Sequence, residues 1–220
     1  MPTPTTVTTN ASVGVLIAPG LEEVEALAVV DCMYRAGVRA DLIAVPAPDS
    51  QAVEEPRSNP FSSAPSLPLA TRSLSVTSSH GITLVCDLHL DDADLSEYTV
   101  LFLPGGMPGT VNLEENTKIR EEIARRIASG EPVAAICAAP SILAHAGFLD
   151  GRNATANPGF MKDLEMGGAH ALTDSVVVDG NVFTSRGMGT AIQLGLSLVN
   201  HLLGEDSAKA VEIAIVKQDD

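Results

Sequence analysis

Residues 13–47 read VGVLIAPGLEEVEALAVVDCMYRAGVRADLIAVPA. The run VGVLIAP (13–19) is continuously apolar, which is typical of a strand that is buried on both faces. LEEVEALAVVDCMYRAG (21–37) predicts a helix, because its apolar residues have helical spacing, its first turns are acidic and it ends in glycine. VRADLIAVPA (38–47) predicts a second strand. This β-α-β order indicates a parallel sheet with helices on both of its faces.

The same alternation continues along the rest of the chain. Continuous apolar runs predict buried strands within residues 99–106 and 132–136. Helical spacing of apolar residues predicts three helices, at residues 112–130, 139–151 and 189–204. Short apolar runs around turn residues predict two hairpins, at residues 73–87 and 175–185. The segment from residue 205 onward predicts a further helix or an extended segment.

Two segments rich in Pro, Ser or Thr fall outside this pattern. Residues 1–11 predict a flexible tail and lack the basic and apolar regions of a secretory signal, which favours a cytoplasmic location. Residues 48–75 have no periodicity and predict an inserted, partly disordered surface loop. Because strands resume beyond this loop, we expect residues 12–220 to form a single domain.

Composition narrows the possible partners and chemistry. The 220 residues suit one domain, and an apolar content of 45% is that of a globular protein. A formal charge of −15 disfavours nucleic acids and anionic membranes as partners. No apolar run approaches the roughly 20 residues of a membrane span. The three cysteines form no CxxC pair, so we expect free thiols and neither a disulfide framework nor a zinc site.

Cys137 follows a predicted buried strand in VAAICAAP (133–140). A thiol at a strand-to-helix turn lies at the positive end of the helix, which lowers its pKa. Ala138 and Ala139 are small enough for a tight turn of the nucleophile-elbow type. These features predict a reactive thiol.

The carboxyl ends of neighbouring strands would bring further groups to this thiol, because sites in open α/β sheets form at that edge. Gly105 and Gly106 end one strand and can offer backbone N–H groups to an oxyanion. Glu25 lies one helical turn into the helix that follows the first strand. A carboxyl there could donate a hydrogen bond to the thiolate if its pKa were raised.

Each of these features also has a plainer structural interpretation. A cysteine after an apolar run is more often a buried core thiol. A glycine pair after a strand is usually a turn, and Glu25 would ordinarily lie on a solvated helix face. The five histidines have no spacing that marks a set of metal ligands. The residues alone therefore leave the role of Cys137 open.

Four segments together resemble the DJ-1/ThiJ/PfpI superfamily, in its parkinsonism-associated protein deglycase branch: GLEEVEALAVVDCMYRAG, VLFLPGG, AAICAAP and VFTSRGMGT. The resemblance covers nearly the whole chain outside the tail and the inserted loop. It implies a flavodoxin-like three-layer α/β/α sandwich with a mostly parallel sheet, as in class I glutamine amidotransferase-like domains. It also implies a homodimer and no metal or organic cofactor.

The resemblance assigns roles to particular residues. Cys137 maps to the nucleophile, which in the family oxidises readily to a sulfinate. Glu25 maps to the protonated partner of that sulfur. The backbone donors map to Gly105, Gly106 and Ala138.

At further site positions this chain either matches the family's residue or differs from it. Arg35 maps to the arginine that reaches the site across the dimer. Asn157 stands where the branch often has a histidine, which puts the histidine-dependent route in doubt because an amide cannot take a proton. His80 replaces a further arginine and Ser78 replaces an oxidisable cysteine. Ala138 replaces the histidine of the protease-like branch, so we do not expect a peptidase.

Three functions are compatible with this sequence. The first is an oxidative-stress-protective glyoxalase or protein deglycase acting on methylglyoxal, glyoxal or their adducts with side chains. The second is a redox sensor in which Cys137 is oxidised without turnover. The third is a chaperone-like dimer in which Cys137 has no chemical role. Turnover that needs both Cys137 and Glu25 would distinguish the first from the others.

Overall fold

The computed structural model describes residues 9–47 and 73–217. Most of the predicted tail (residues 1–8) and most of the predicted insertion (residues 48–72) lie outside the described residues. The strands are β1 Ser12–Ile17, β2 Arg39–Ala44, β3 Ser75–Thr77, β4 Thr83–Val85, β5 Leu88–His89, β6 Val100–Leu103, β7 Val133–Ile136, β8 Asn153–Ala154, β9 His170–Ala171, β10 Val176–Asp179 and β11 Val182–Ser185. The helices are α1 Glu23–Ala36, α2 Gly109–Glu115, α3 Thr117–Ser129, α4 Pro140–His145, α5 Met161–Met166, α6 Ala191–Leu203 and α7 Glu205–Ala214.

The central sheet has the strand order β10-β11-β7-β6-β1-β2-β5. Neighbouring strands in it are parallel, except that β10 and β11 form an antiparallel hairpin. The mostly parallel sheet predicted from the β-α-β pattern is therefore confirmed. Strands β1, β6 and β7 lie side by side at its centre, so their carboxyl ends meet at one edge.

The sheet separates two hydrophobic cores. Side chains alternate along β1, so that Val13, Val15 and Ile17 face one core while Leu16 faces the other. Helices α1 and α6 cover the first core, and α3 and α4 cover the second. This arrangement is the predicted three-layer α/β/α sandwich. No helix in the described ranges has both the length and the apolar character that crossing a bilayer requires.

Both predicted hairpins are present, as β3 with β4 and β10 with β11. The prediction of a single helix over residues 112–130 is wrong. Asn116 ends α2 in an extended conformation and its Oδ1 accepts a hydrogen bond from the Ile119 N–H at 3.2 Å, which starts α3. The helix predicted over residues 139–151 is shorter than expected, since α4 ends at His145.

Candidate active site

Cys137 occupies a strained turn between β7 and α4. Its φ of 64° lies in the left-handed region, which is uncommon for any residue other than glycine. The turn is held because the Cys137 N–H donates to the Ser185 carbonyl and its own carbonyl accepts from the Asn157 N–H, both at 2.9 Å. Ala138 is buried directly after it, as the small-residue turn requires. The half-buried thiol therefore lies beyond the carboxyl edge of the sheet.

Glu25 reaches the same point from the first turn of α1. It is 1% exposed, and its Oε2 accepts a hydrogen bond from the Gly105 N–H at 2.9 Å. Further hydrogen bonds join its carboxyl group to the Cys137 thiol and to the Met188 backbone. The start of α1 is held against the loop after β6, because the Glu22 N–H donates to the Gly105 carbonyl at 2.9 Å. The fold thus places a buried carboxyl group directly against the sulfur.

Glycine is required at both positions after β6, because neighbouring atoms approach the backbone too closely for a side chain. A Cβ on Gly105 would lie 2.6 Å from the Cys137 Cβ and 2.7 Å from the Glu25 Oε2. Gly106 has a φ of 91°, and a Cβ there would overlap the backbone of Leu21 and Glu22. Side chains at either position would separate Cys137 from α1.

The backbone donors divide between the two reactive groups. The Ala138 and Gly106 N–H groups donate to the Cys137 sulfur. The Gly105 N–H, which the resemblance places among the oxyanion donors, donates to Glu25 in this structure. Gly105 therefore orients the carboxyl group, while Gly106 and Ala138 are left to stabilise negative charge at the sulfur.

Burial raises the pKa of Glu25 from 4.5 to about 7, although the hydrogen bonds from Cys137 and Gly105 oppose this rise. Burial, and then the charge of Glu25, also raise the pKa of the Cys137 thiol, against the two backbone donors. The prediction that a helix N-terminus lowers this pKa is therefore wrong. Helix α4 has only six residues, and burial beside a carboxylate outweighs its dipole.

The two groups consequently titrate as a pair. When Glu25 is ionised, its charge opposes the formation of a thiolate. When Glu25 holds the proton, that repulsion is absent and the carboxyl group can donate to the sulfur. A pair that holds one proton can exist as a thiol beside a carboxylate, or as a thiolate beside a carboxylic acid once the proton has moved to Glu25. Two ionised groups side by side are disfavoured.

The amide of Asn157 lies at the rim of this site. A Cβ on Gly187 would be 3.7 Å from the Asn157 Nδ2 and 3.9 Å from the Cys137 Sγ. The Asn157 Oδ1 accepts from the Gly159 N–H at 3.0 Å, which fixes the direction of the amide. Asn157 can donate a hydrogen bond there, but it cannot carry a proton between substrate atoms.

His80 lies on the β3–β4 turn beside the start of α1. Its Nδ1 is 3.1 Å from the Glu23 Oε1 and 3.7 Å from the Glu22 Oε2. The hydrogen bond with Glu23 raises the pKa of this histidine. The Ser78 Oγ accepts from the N–H groups of His80 and Ile82, so Ser78 shapes the turn.

Glu22, Glu23 and His80 are also of the residue types that bind divalent cations, and one ligand atom of each lies within 4.8 Å of the others. The spacing of the histidines along the chain gave no sign of this group. The ion pair between His80 and Glu23 accounts for the arrangement without a metal.

Arg35 lies at the other end of α1 from Glu25. Ten residues of helix separate them by roughly 15 Å. Its Nε is 2.6 Å from the Asp31 Oδ2, one turn back along the helix. Within one chain Arg35 therefore does not reach Cys137, and a role in the site would require a second chain.

The sequence reasoning missed the loop that follows β11. The Met188 backbone contacts Glu25, and Gly187 approaches both reactive residues. One signal could have revealed it: the SRGMG segment follows a strand that neighbours β7 in the sheet, so it ends at the same edge as Cys137.

Residues 11–201 match the family model of the DJ-1/PfpI family. The chain belongs to the DJ-1/PfpI family. The Parkinson disease protein 7 homolog of Danio rerio is 32% identical over 208 residues, which cover 93% of this chain and 96% of that protein. A protein of Pyrococcus abyssi named as a deglycase is 42% identical over 113 residues, which cover 50% of this chain and 66% of that protein.

Solved structures show the same family resemblance. The crystal structure of Drosophila melanogaster DJ-1beta superimposes with a TM-score of 0.80 at 26% identity, covering 96% of this chain and all of that one. Some curated relatives are much longer. The matched segments span only 35% and 37% of the DJ-1 homologs A and B of Arabidopsis thaliana.

Replacing Glu25 by glutamine should change how stability depends on pH. The folded protein holds the Glu25 proton more tightly than the unfolded chain, because burial raises the pKa from 4.5 to about 7. The stabilisation from this proton is complete below pH 4.5 and is lost as the pH rises through 7, by about 3 kcal/mol in total. Denaturant unfolding between pH 4.5 and 8 should show wild type losing this amount relative to Glu25→Gln. A difference between the two proteins that does not change with pH would contradict the assignment.

Proposed function

We propose that this protein is a cofactor-independent glyoxalase or protein deglycase that protects against dicarbonyl and oxidative stress. Its substrates would be methylglyoxal, glyoxal or their adducts with protein side chains. The observation that carries the proposal is the buried Glu25 carboxyl group, hydrogen-bonded to a thiol on a strained turn. The Pyrococcus abyssi relative named as a deglycase supports the reaction class.

In the proposed reaction, Cys137 gives its proton to Glu25 and the thiolate attacks the aldehyde carbon of methylglyoxal. A C–S bond forms, and the aldehyde oxygen takes the Glu25 proton to give a hemithioacetal. The Glu25 carboxylate then removes the proton from the former aldehyde carbon and returns it to the neighbouring carbon, while the hydroxyl proton of the hemithioacetal passes to the oxygen of that neighbouring carbon. The result is a lactoyl thioester, which water hydrolyses to lactate, restoring the thiol.

The backbone supplies the rest of the machinery. The Gly106 and Ala138 N–H groups donate to the sulfur. In the proposed reaction they would stabilise the oxygen that becomes negative beside it. The Gly105 N–H keeps Glu25 aimed at the same point. In the proposed route Glu25 both accepts and returns protons, so it acts as base and as acid, and the route does not need a histidine at position 157.

A second function, redox sensing, is favoured by the Asn157 amide. Sensing requires a reactive thiol with hydrogen-bond donors around it, but no additional proton carrier. In that case one molecule of hydrogen peroxide would convert the Cys137 thiolate to a sulfenate and water, and a second would give a sulfinate. Gly106 and Ala138 would donate to the new oxygens, and Glu25 would have to be protonated beside them.

The proposed homodimer would use the outer face of α1 and the β3–β4 hairpin. This surface carries exposed apolar side chains: Val24, Leu27, Tyr34, Ile82 and Val85. Arg35 lies on the same helix, so a second copy packed here could bring its Arg35 toward the site of the first. Several exposed apolar side chains on one helix and one hairpin are typical of an interface.

A charge within this surface should dissociate the dimer. Val85 is 71% exposed, so Val85→Lys can fold unhindered but would bury an unpaired charge on association. Sedimentation should show a dimer for wild type and a monomer for Val85→Lys at the same concentration. Met166→Lys, at an 85% exposed position elsewhere on the surface, is the matched control and should remain dimeric. An unchanged dimer in Val85→Lys would place the interface elsewhere.

The proposed reaction is tested by lactate formation from methylglyoxal. Wild type should form lactate, Cys137→Ala should form none, and Glu25→Gln should lose activity by at least about 100-fold. Intact-mass spectra after mild peroxide treatment run alongside. If lactate is not formed but Cys137 gains two oxygen atoms, the enzyme proposal fails and the redox function takes its place. A chaperone-like role alone would be indicated by aggregation suppression that survives Cys137→Ala.

A further inference from the structure

Two methionines are directly adjacent, in sequence or through their backbone, to groups that contact the reactive pair. Met107 directly follows Gly106, whose N–H donates to the Cys137 sulfur. Met188 itself contacts Glu25 through its backbone and directly follows Gly187. Their residues are 49% and 57% exposed, so each side chain is only partly covered by the rest of the described chain.

Single exposed apolar residues are ordinary on a protein surface. Here, however, both long and flexible thioether side chains belong to the site's own loops. Met107 is the residue after Gly106, which contacts Cys137, and the backbone of Met188 itself contacts Glu25. Methionine adapts its shape to apolar partners and makes favourable contacts with aromatic rings. We refer to Met107 and Met188 together as the methionine rim.

The acidic start of α1 would also discriminate between substrates by their charge, because it lies beside the Gly105–Gly106 loop. Glu22 lies against the Gly105–Gly106 loop through its N–H, and Glu23 follows it. The His80 Nδ1 lies 3.1 Å from Glu23 and 3.7 Å from Glu22, so its single positive charge offsets one of the two carboxylates and leaves a net negative charge. An aldehyde that carries its own carboxylate would be repelled here, whereas an uncharged one would not.

Resting on the proposed function, we infer that the methionine rim makes uncharged α-oxoaldehydes with aromatic or long aliphatic substituents better substrates than methylglyoxal. The substituent would lie against Met107 and Met188 while the aldehyde carbon meets the sulfur. The chemistry is unchanged: the aldehyde and one water yield the corresponding 2-hydroxy acid. For phenylglyoxal that product is mandelate.

The test compares kcat/KM for phenylglyoxal and methylglyoxal in wild type, Met107→Gln, Met188→Gln and the double variant. Glutamine keeps the length of methionine but replaces its apolar end with an amide. We expect wild type to favour phenylglyoxal, and the double variant to reduce that preference about tenfold, as for the loss of an apolar contact. An unchanged preference in the double variant would overturn the inference while leaving the proposed function standing.

Met166→Gln is the matched control. Met166 is 85% exposed and ends α5, where the following Gly167 packs against Ala144 near the C-terminal end of α4. Cys137 precedes the other end of that helix. This variant should leave both kcat/KM values unchanged.

A second measurement does not depend on turnover. The rate of Cys137 alkylation by N-benzylmaleimide is compared with that by N-(2-hydroxyethyl)maleimide, by intact mass, with Cys137→Ala as background. Wild type should favour the benzyl reagent, and the double variant should lose most of that preference. If neither aldehyde is turned over, the proposed function fails, yet this ratio still decides whether the methionine rim selects apolar groups. Equal ratios of the two alkylation rates in wild type and the double variant would overturn the inference that the methionine rim selects apolar groups.

Discussion

Replacing Arg126 by alanine should lower the free energy of unfolding by about 4 kcal/mol, which for a chain of this size lowers Tm by roughly 10 °C. Arg126 is 0% exposed inside α3. Its Nε donates to Glu122 at 2.7 Å, and its Nη2 donates to the carbonyls of Leu95 and Tyr98 at 2.7 and 2.6 Å. Alanine would leave a buried carboxylate and several carbonyls without these donors, and would also leave a cavity.

The neighbouring Arg125 supplies a matched control. It bonds the same Glu122 at 2.8 Å, but its side chain is 40% exposed and water can replace it. Thermal unfolding should therefore show a much smaller loss in Arg125→Ala than in Arg126→Ala. Equal losses in the two variants would mean that burial of the Arg126 guanidinium contributes nothing, contrary to this account.

Replacing Gly105 by alanine should abolish most of the proposed glyoxalase activity, with a loss of at least about 100-fold in kcat/KM for methylglyoxal. The new Cβ would need the space held by the Cys137 Cβ, the Glu25 Oε2 and the Ile136 carbonyl oxygen, at 2.6, 2.7 and 2.9 Å. These neighbours are backbone or closely constrained atoms. The methyl group would therefore push the carboxyl group away from the sulfur.

Gly189→Ala is the control for this variant. Gly189 lies near the same site, just after Met188, but a Cβ there would meet nothing within 4 Å. Its kcat/KM for methylglyoxal should equal that of wild type. Retention of full activity in Gly105→Ala would show that the separation between Cys137 and Glu25 does not control the reaction.

The parts of the fold that could be predicted are those with a long, regular pattern. Strand β1 has a continuous apolar run and helix α1 repeats its apolar spacing over several turns, so both patterns identified their elements. Strand β2 was predicted because a further apolar stretch follows them in β-α-β order. Strands β5, β8 and β9 have two residues each, which is too short to show any period. The break at Asn116 was missed because apolar spacing continues across it, although asparagine is a favoured residue at the start of a helix.

The site was predictable in its members but not in its contacts. Strand ends and small residues pointed to Cys137 and to the Gly105–Gly106 pair. They could not show that the Gly105 N–H donates to Glu25, because that hydrogen bond depends on how closely α1 approaches the loop after β6. His80 and Glu23 are 57 positions apart, so only the folded chain brings them together. The burial of Arg126 likewise could not be predicted, because an arginine in an amphipathic helix is expected on the exposed face.

The central claim is that Cys137 and Glu25 share one proton. Its most direct test is the rate of Cys137 alkylation by iodoacetamide as a function of pH, followed by intact mass in wild type and Glu25→Gln. Cys137→Ala gives the background from Cys32 and Cys86, which are buried and whose pKa values burial raises to about 11. A coupled pair loses its protons in two separate steps, so the wild-type rate should rise, level off and rise again, whereas Glu25→Gln should show a single step. A single step at the same pH in both proteins would contradict the account.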